Sequence, residues 1–463
     1  MSRKYYCLTL QELSLIICSM FLYGSELSLR SDKVLAIHIK TRNRKEEHAY
    51  RTVFNCDSCY KTVLPERKNL FMQKILHTPE GVRDIYSAEC EQKLALQQKL
   101  HTVIKSYGYR DIETPTFEYF DVFSKEIGTI PSRELYKFFD REGETLVLRP
   151  DFTPSVARAA AKYFLNENMA IRLTYLGNTF VNNSSYQGRL KETTQIGGEL
   201  IGDKSADADA EVIALVVQML LSAGLQEFQI SIGHVGFFQA LVSEAGFSAS
   251  LTDELKELIT NKNTFGVQKL LSGQNISEQQ KTAFSSLTGL FGTEDALARA
   301  EELTDCAGAL DAICYLRSIW ETLKLYGVSK YVSFDLGMLS RYMYYTGIIF
   351  RGYTFGTGDA VIKGGRYDGL LGHFGKHAPA VGFVAVVDQL LSALSRQNVE
   401  QDIAGSHCMI IYENEKQAEA IAKASQLRQK GIDVELVRVS AERSRTDCRA
   451  YAKAQNCTLV VEL

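Results

Sequence analysis

Tryptophan occurs once in the 463 residues, at Trp320, and proline only seven times. The prolines are Pro65, Pro79, Pro115, Pro131, Pro150, Pro154 and Pro379, so residues 155–378 hold none. Such a stretch favours uninterrupted helices and strands, since proline removes a backbone donor and clashes with the preceding turn. Ten cysteines over this length are too sparse for a stapled secreted domain, and reduced, mostly structural thiols in a cytoplasmic protein are expected. A charge excess is also missing: 52 Lys+Arg face 55 Asp+Glu, a net of −3, which argues against a large nucleic-acid footprint. No G-x-S-x-G supports a serine hydrolase, and the eight scattered histidines show no metal-ligand spacing.

The balanced charge conceals two unlike segments. Residues 1–71 carry 12 Lys+Arg and 7 Asp+Glu, a net of +5, leaving 40 and 48, a net of −8, for residues 72–463. The one apolar run of the first segment, LSLIICSMFLY at 13–23, is 11 residues long. A bilayer-spanning helix needs about 20, so no membrane association is expected. Arg3 and Lys4 imitate the start of a secretory signal, but Gln11 and Glu12 interrupt it and no small-residue cleavage site follows. Cys56 and Cys59 form a lone CDSC with no second ligand pair, so a chance spacing is preferred to a metal site. Residues 1–71 are therefore expected to lie outside the functional fold, as an extension of the reading frame upstream of Met72.

From Met72 onward the patterns are regular. Residues 87–107 have apolar positions at helical spacing and stop at Gly108. Short β-rich runs follow at 145–150, 170–181 and 227–234, with a helix at 205–224 whose Ser and Asp residues suit an N-terminus. Residues 247–328 are rich in Leu, Ala, Glu and Lys, carry a Ser277–Gln280 capping box, and read as a helical insertion. β-rich sequence resumes at 331–338, 344–355 and 359–368, and a helix begins near Val386. After a polar linker near Gln397, the last 58 residues alternate strand, helix, strand, helix, strand, which predicts a small α/β domain with a largely parallel sheet. The glycines of Gly356-x-Gly358 and of KGGRYDG (363–369) fit neither a P-loop nor a dinucleotide turn. Phosphate binding is weakly supported there, and tight turns explain the glycines equally well.

Four segments are more specific: LRPDFT (148–153), YLGNTF with GRLKETTQIGGELIG (175–202), YYTG (344–347), and KGGRYDGLL with PAVGF (363–383). In order and spacing they resemble the catalytic core of the histidyl-tRNA synthetase family, a class II synthetase fold. The resemblance implies an α+β architecture: an antiparallel sheet flanked by helices over residues 72–397, with the insertion at about 247–328. It also implies a C-terminal α/β domain at 404–463 like the anticodon-binding domain. Where that family holds ATP with the arginine of an FRxE motif, this chain has Phe180-Val181-Asn182-Asn183. The arginine ending its third motif falls at Gln389, within Val386-Val387-Asp388-Gln389, and the arginine of its RGLDYY element falls at Ser340, beside Arg341. Adenylate formation needs cations placed at the α-phosphate, and one lost donor commonly costs on the order of 3 kcal/mol. Aminoacylation is expected to fail, and no catalytic residue, cofactor or metal is assigned.

The amino-acid pocket of the family is matched more fully. The resemblance places Asp151 and Thr153 at the α-amino group, Gln195 and Glu199 in the histidine site, and Tyr344 and Tyr345 beside the imidazole, with Met343 where an Asp is usual. Carboxylates suit an ammonium, and polar or acidic groups suit an imidazole. Inherited structural hydrogen bonding is the alternative, disfavoured by the cost of idle buried polar groups. This combination resembles the ATP phosphoribosyltransferase regulatory subunit family. It implies a non-catalytic partner of a short-form catalytic subunit in the first step of L-histidine biosynthesis, self-dimeric within a hetero-oligomer, with L-histidine as ligand and no tRNA. The competing expectations are a histidine–tRNA ligase and an amino-acid sensor for another enzyme.

Overall fold

The computed structural model describes residues 35–38, 51–54, 76–123, 130–183, 190–340, 344–399, 401, 407–455 and 457–463. The chain divides into two compact units, Met1–Pro79 and Glu80–Leu463. In the first, strands β1 (Leu35–His38) and β2 (Arg51–Phe54) pair antiparallel. The CDSC pair and Met72 lie outside the described residues.

The second unit is built on a nine-stranded sheet. Its strands are β3 (Arg110–Asp111), β7 (Ile171–Phe180), β8 (Glu192–Ile201), β9 (Phe228–His234), β10 (Phe291–Gly292), β11 (Val332–Asp335), β12 (Ile348–Thr354), β13 (Ile362–Arg366) and β14 (Ala380–Val386). They are ordered β10-β11-β9-β12-β13-β14-β8-β7-β3. The six central strands, β9 through β7, pair antiparallel throughout, and only the β11–β9 and β3–β7 contacts are parallel. Strands β4 (Phe117–Tyr119), β5 (Lys137–Phe139) and β6 (Thr145–Leu148) form a separate antiparallel sheet.

Alternation along the strands sorts side chains onto two faces. Ile196 and Leu200 of β8, and Val381, Phe383 and Ala385 of β14, enter the large core with helices α1 (Ser87–Ser106), α3 (Ala206–Ala223) and α10 (Val387–Arg396). The opposite face packs under α2 (Thr153–Tyr163): Val156, Ala157 and Ala160 meet Ile171, Leu173, Tyr175, Ile201 and Ala380. Helix α3 starts where its sequence says it should, with the Ser205 hydroxyl accepting from the Ala208 N–H and Gly224 in the left-handed conformation at its end.

Helices α4 (Val235–Ala245), α5 (Ala249–Thr260), α6 (Thr264–Ser272), α7 (Glu278–Ser286), α8 (Glu294–Glu302) and α9 (Ala307–Leu325) follow β9, interrupted only by the two residues of β10. The Ser277–Gln280 capping box is formed at α7. At the C-terminus β15 (His407–Tyr412), α11 (Gln417–Gln429), β16 (Asp433–Arg438), α12 (Arg445–Ala454) and β17 (Leu459–Glu462) make a parallel sheet ordered β16-β15-β17. Cys408 and Ile410 of β15 face Ala420 and Ala424 of α11, while Met409 and Ile411 face Cys448 and Ala452 of α12. Among the described residues no helix is long and apolar enough to cross a membrane.

Candidate ligand pocket

A cavity of about 90 Å³ opens on the α2 face of the sheet, between β8, β13, β14 and the segment before α2. Ligand pockets for cofactor-sized molecules run to roughly 300–1,000 Å³, so this one suits a small polar solute. Asp151, Thr153, Gln195, Tyr344, Tyr345, Lys363, Tyr367 and Gly382 line it. Five of the six residues singled out from the sequence are thus on its wall, and the sixth, Glu199, lies behind the wall, bonded to Thr153 and Tyr367.

Glu199 has no solvent exposure. Its Oε1 accepts from the Thr153 hydroxyl at 2.9 Å and the Tyr175 hydroxyl at 3.2 Å, and its Oε2 accepts from the Tyr367 hydroxyl at 2.5 Å. No salt bridge to Glu199 is formed among the described residues. Burial pushes its carboxyl up to about 8; the hydroxyls of Tyr367, Thr153 and Tyr175 pull the other way, while the charge of Asp151 adds to the rise. Gly382 stands opposite Glu199 in the β14–β8 register, and a Cβ there would sit 1.6 Å from Oε2. The glycine is what lets the carboxyl cross the strand.

Asp151 closes the other end. Its Oδ1 accepts from the Phe152 N–H at 2.7 Å and its Oδ2 from the Tyr344 hydroxyl at 3.5 Å. Burial raises its carboxyl, opposed by the Thr153 and Phe152 amides and by Tyr344. The Tyr344 ring lies 4.7 Å from that of Tyr345 and 6.0 Å, edge-on, from that of Tyr367. Gln195, four residues before Glu199 on the same strand face, has a buried Oε1 without a hydrogen-bond partner. Buried acceptors are normally satisfied. The pocket therefore presents the Asp151 carboxyl and an idle amide oxygen beside aromatic rings, with the Glu199 carboxyl behind Thr153 and Tyr367, a surface suited to a solute rich in N–H donors.

The glycines of KGGRYDG serve packing. Gly364 and Gly365 lie within β13, where a Cβ would strike the Phe350 ring and the Gly382 carbonyl, or the Ile348 carbonyl and the Tyr345 ring. The tight-turn reading holds for Gly356, which has φ +90° after β12, but not for this pair. Arg366 is spent on a buried ion pair: its guanidinium donates to Asp209 of α3 at 2.6–3.1 Å and to the Asp203 carbonyl at 2.9 Å. Tyr175 and Tyr367 were missed from the sequence as site residues, although both sit in the quoted motifs YLGNTF and KGGRYDG.

Residues 181, 182, 388 and 389 make local contacts. Val181 and Asn182 donate backbone N–H groups to the Lys191 and Glu134 carbonyls. Asp388 takes the Lys93 ammonium at 2.7 Å and the Thr194 N–H at 2.6 Å, and Gln389 buries an Oε1 with no hydrogen-bond partner. Arg341 and Met343 lie outside the described residues. No group of three or more His, Cys, Asp or Glu able to hold a metal occurs among the described residues.

Comparison with known proteins places this geometry. Residues 81–390 match the family model for histidyl-tRNA synthetase. The ATP phosphoribosyltransferase regulatory subunit of Acetivibrio thermocellus is 40% identical over 78% of this chain and 86% of its own. A crystal structure from Bacillus halodurans, of an ATP phosphoribosyltransferase regulatory subunit/histidyl-tRNA synthetase, superposes with a TM-score of 0.75 at 34% identity, covering 84% of this chain and 98% of its own. The histidyl-tRNA synthetase of Nostoc sp. shares the fold at a TM-score of 0.69 and 20% identity, covering 82% of this chain and 90% of its own. With a class II synthetase core and relatives of this similarity over most of their length, the chain belongs to the ATP phosphoribosyltransferase regulatory subunit family.

Proposed function

We propose that this chain is the non-catalytic regulatory subunit of an ATP phosphoribosyltransferase, required for the first step of L-histidine biosynthesis and for its feedback by L-histidine. Its partner is a short-form catalytic subunit, in a cytoplasmic hetero-oligomer that contains a dimer of this chain. Family membership supports the activity. Self-association is supported by the small sheet, where Tyr119 and Phe138 flank Leu146 in register and Phe117 lies beside them, 37–58% exposed for the three aromatics. The lack of aminoacylation is supported by Val181, Ser340 and Gln389 standing where the synthetase family keeps arginine. Residues 72–397, with the insertion at about 247–328, form the synthetase-like core, and 404–463 the anticodon-binding-like domain. Residues 1–71 are outside this fold, a reading supported by the family match beginning at 81.

The observation that carries the ligand is the acceptor-lined pocket. In this reading Asp151 takes an α-ammonium, Gln195 and Glu199 answer ring N–H groups, and Tyr344 and Tyr345 flank an imidazole, supported by their convergence at the cavity. Hydrogen bonds to charged groups contribute about 1.5–3 kcal/mol. Calorimetric titration with L-histidine should therefore show binding that Asp151→Ala weakens by roughly 10–100-fold, with Tyr344→Ala also weakened. Unchanged affinity in both variants would make the residues scaffolding and sink the assignment.

A further inference from the structure

Behind the wall of the pocket lies an electrostatic mismatch. Glu199 is wholly enclosed, and among the described residues the groups facing it from every surrounding element are neutral or of its own sign. Thr153 and Asp151 approach from the start of α2, Tyr175 from β7, Tyr367 from the end of β13, and Gly382, with no side chain, from β14. Tyr344 and Tyr345 cover the opening; Tyr109 lies behind β8, its ring against Gly198. Lys363, the one cation on the wall among the described residues, is tied to Asp359 at 3.0 Å. An ionised carboxylate in such a place is costly unless a cation joins it. The neutral acid is not: one of the three hydroxyls need only turn from donor to acceptor.

Resting on the reading that L-histidine is the ligand, we propose that Glu199 is a neutral acid in the empty pocket and gives its proton to the bound imidazole. Because Tyr367 lines the cavity and donates to Glu199 Oε2, the proton passes through its hydroxyl: the O–H bond of Glu199 breaks as Tyr367 takes that proton, and the Tyr367 O–H bond breaks as an N–H bond forms on the ring, leaving a carboxylate and an imidazolium with no net proton gained or lost. The imidazolium then offers two ring N–H donors where the neutral ring offers one. The second donor answers the idle Oε1 of Gln195. Recognition by proton transfer makes basicity a selection criterion: a ring of the same shape that cannot be protonated leaves Glu199 neutral and Gln195 unsatisfied.

Two measurements on the full chain test this. With ring-¹⁵N-labelled L-histidine at pH 8, the bound ring should give imidazolium shifts although free imidazole, with a side-chain pKa near 6.5, is neutral there. Calorimetry in buffers of low and high ionisation enthalpy should show proton release at pH 5.5, near balance at pH 7, and uptake at pH 8 that Glu199→Gln lacks. A neutral bound ring, or release of a full proton at pH 7, overturns the proton transfer while leaving the ligand assignment intact. Absence of any binding overturns both.

Discussion

Gly382 shows how a residue without a side chain decides the chemistry of one with a carboxyl. It sits across the β14–β8 ladder from Glu199, and the space of its missing Cβ is occupied by Oε2. Gly382→Ala must push Glu199 off Tyr367 or bend a central strand. Overpacking of this kind costs about 1–3 kcal/mol, and the displaced carboxyl loses its hydroxyl partners. The variant should lower the urea midpoint and weaken L-histidine binding at least tenfold; a fully stable variant with native affinity would show that Glu199 is not held as described. Gly365 works the same way under Tyr345, where a Cβ would lie 2.7 Å from the ring. Gly365 reads as a turn residue in sequence and is a packing residue in space.

Among elements, β13 joins the pocket to the helical segment. Tyr367, just past its end, holds Glu199, and the adjacent Arg366 is clamped on Asp209 of α3, which also takes the Tyr315 hydroxyl from α9 at 2.8 Å. The two charged side chains are 4% and 0% exposed. Removing one partner of such a pair commonly costs about 3–5 kcal/mol, because the other is left buried and unpaired. Arg366→Met should lose stability on that scale in denaturant unfolding, and Arg366→Met with Asp209→Leu should regain much of it. A single variant as stable as the native chain would contradict the clamp.

The same element level shows what the sequence made legible. Helices α1, α3 and α7 were readable from periodicity and caps, and strands β7, β9 and β12 from β-branched and aromatic runs. Strand β8 carries no strand signal in sequence, because Gly197 and Gly198 interrupt its pattern. Those glycines are there because a Cβ would strike the Tyr175 hydroxyl or the Tyr109 ring. Helix α2 was missed because its signal is a run of small residues, TPSVARAAAKY, whose Ala157 and Ala160 let it lie close on the sheet. Asp151, Thr153, Gln195, Glu199, Tyr344 and Tyr345 were reached through the family resemblance; composition and spacing alone did not single them out. Strands β3, β4, β5 and β10, of two or three residues each, carry no period long enough to read.

At the scale of the whole molecule, the chain has a class II synthetase core and belongs to a family of regulatory subunits, and the proposed function gives that core an amino-acid pocket without aminoacylation. Such a protein can act on an enzyme only by preferring one state of a shared assembly, and histidine can act through it only by binding the states unequally. The direct test is reconstitution: the purified chain added to a short-form ATP phosphoribosyltransferase catalytic subunit, with the condensation of ATP and phosphoribosyl pyrophosphate followed with and without L-histidine. The account predicts that activity rises on adding the chain and falls again with L-histidine. Activity that the chain leaves unchanged would contradict it.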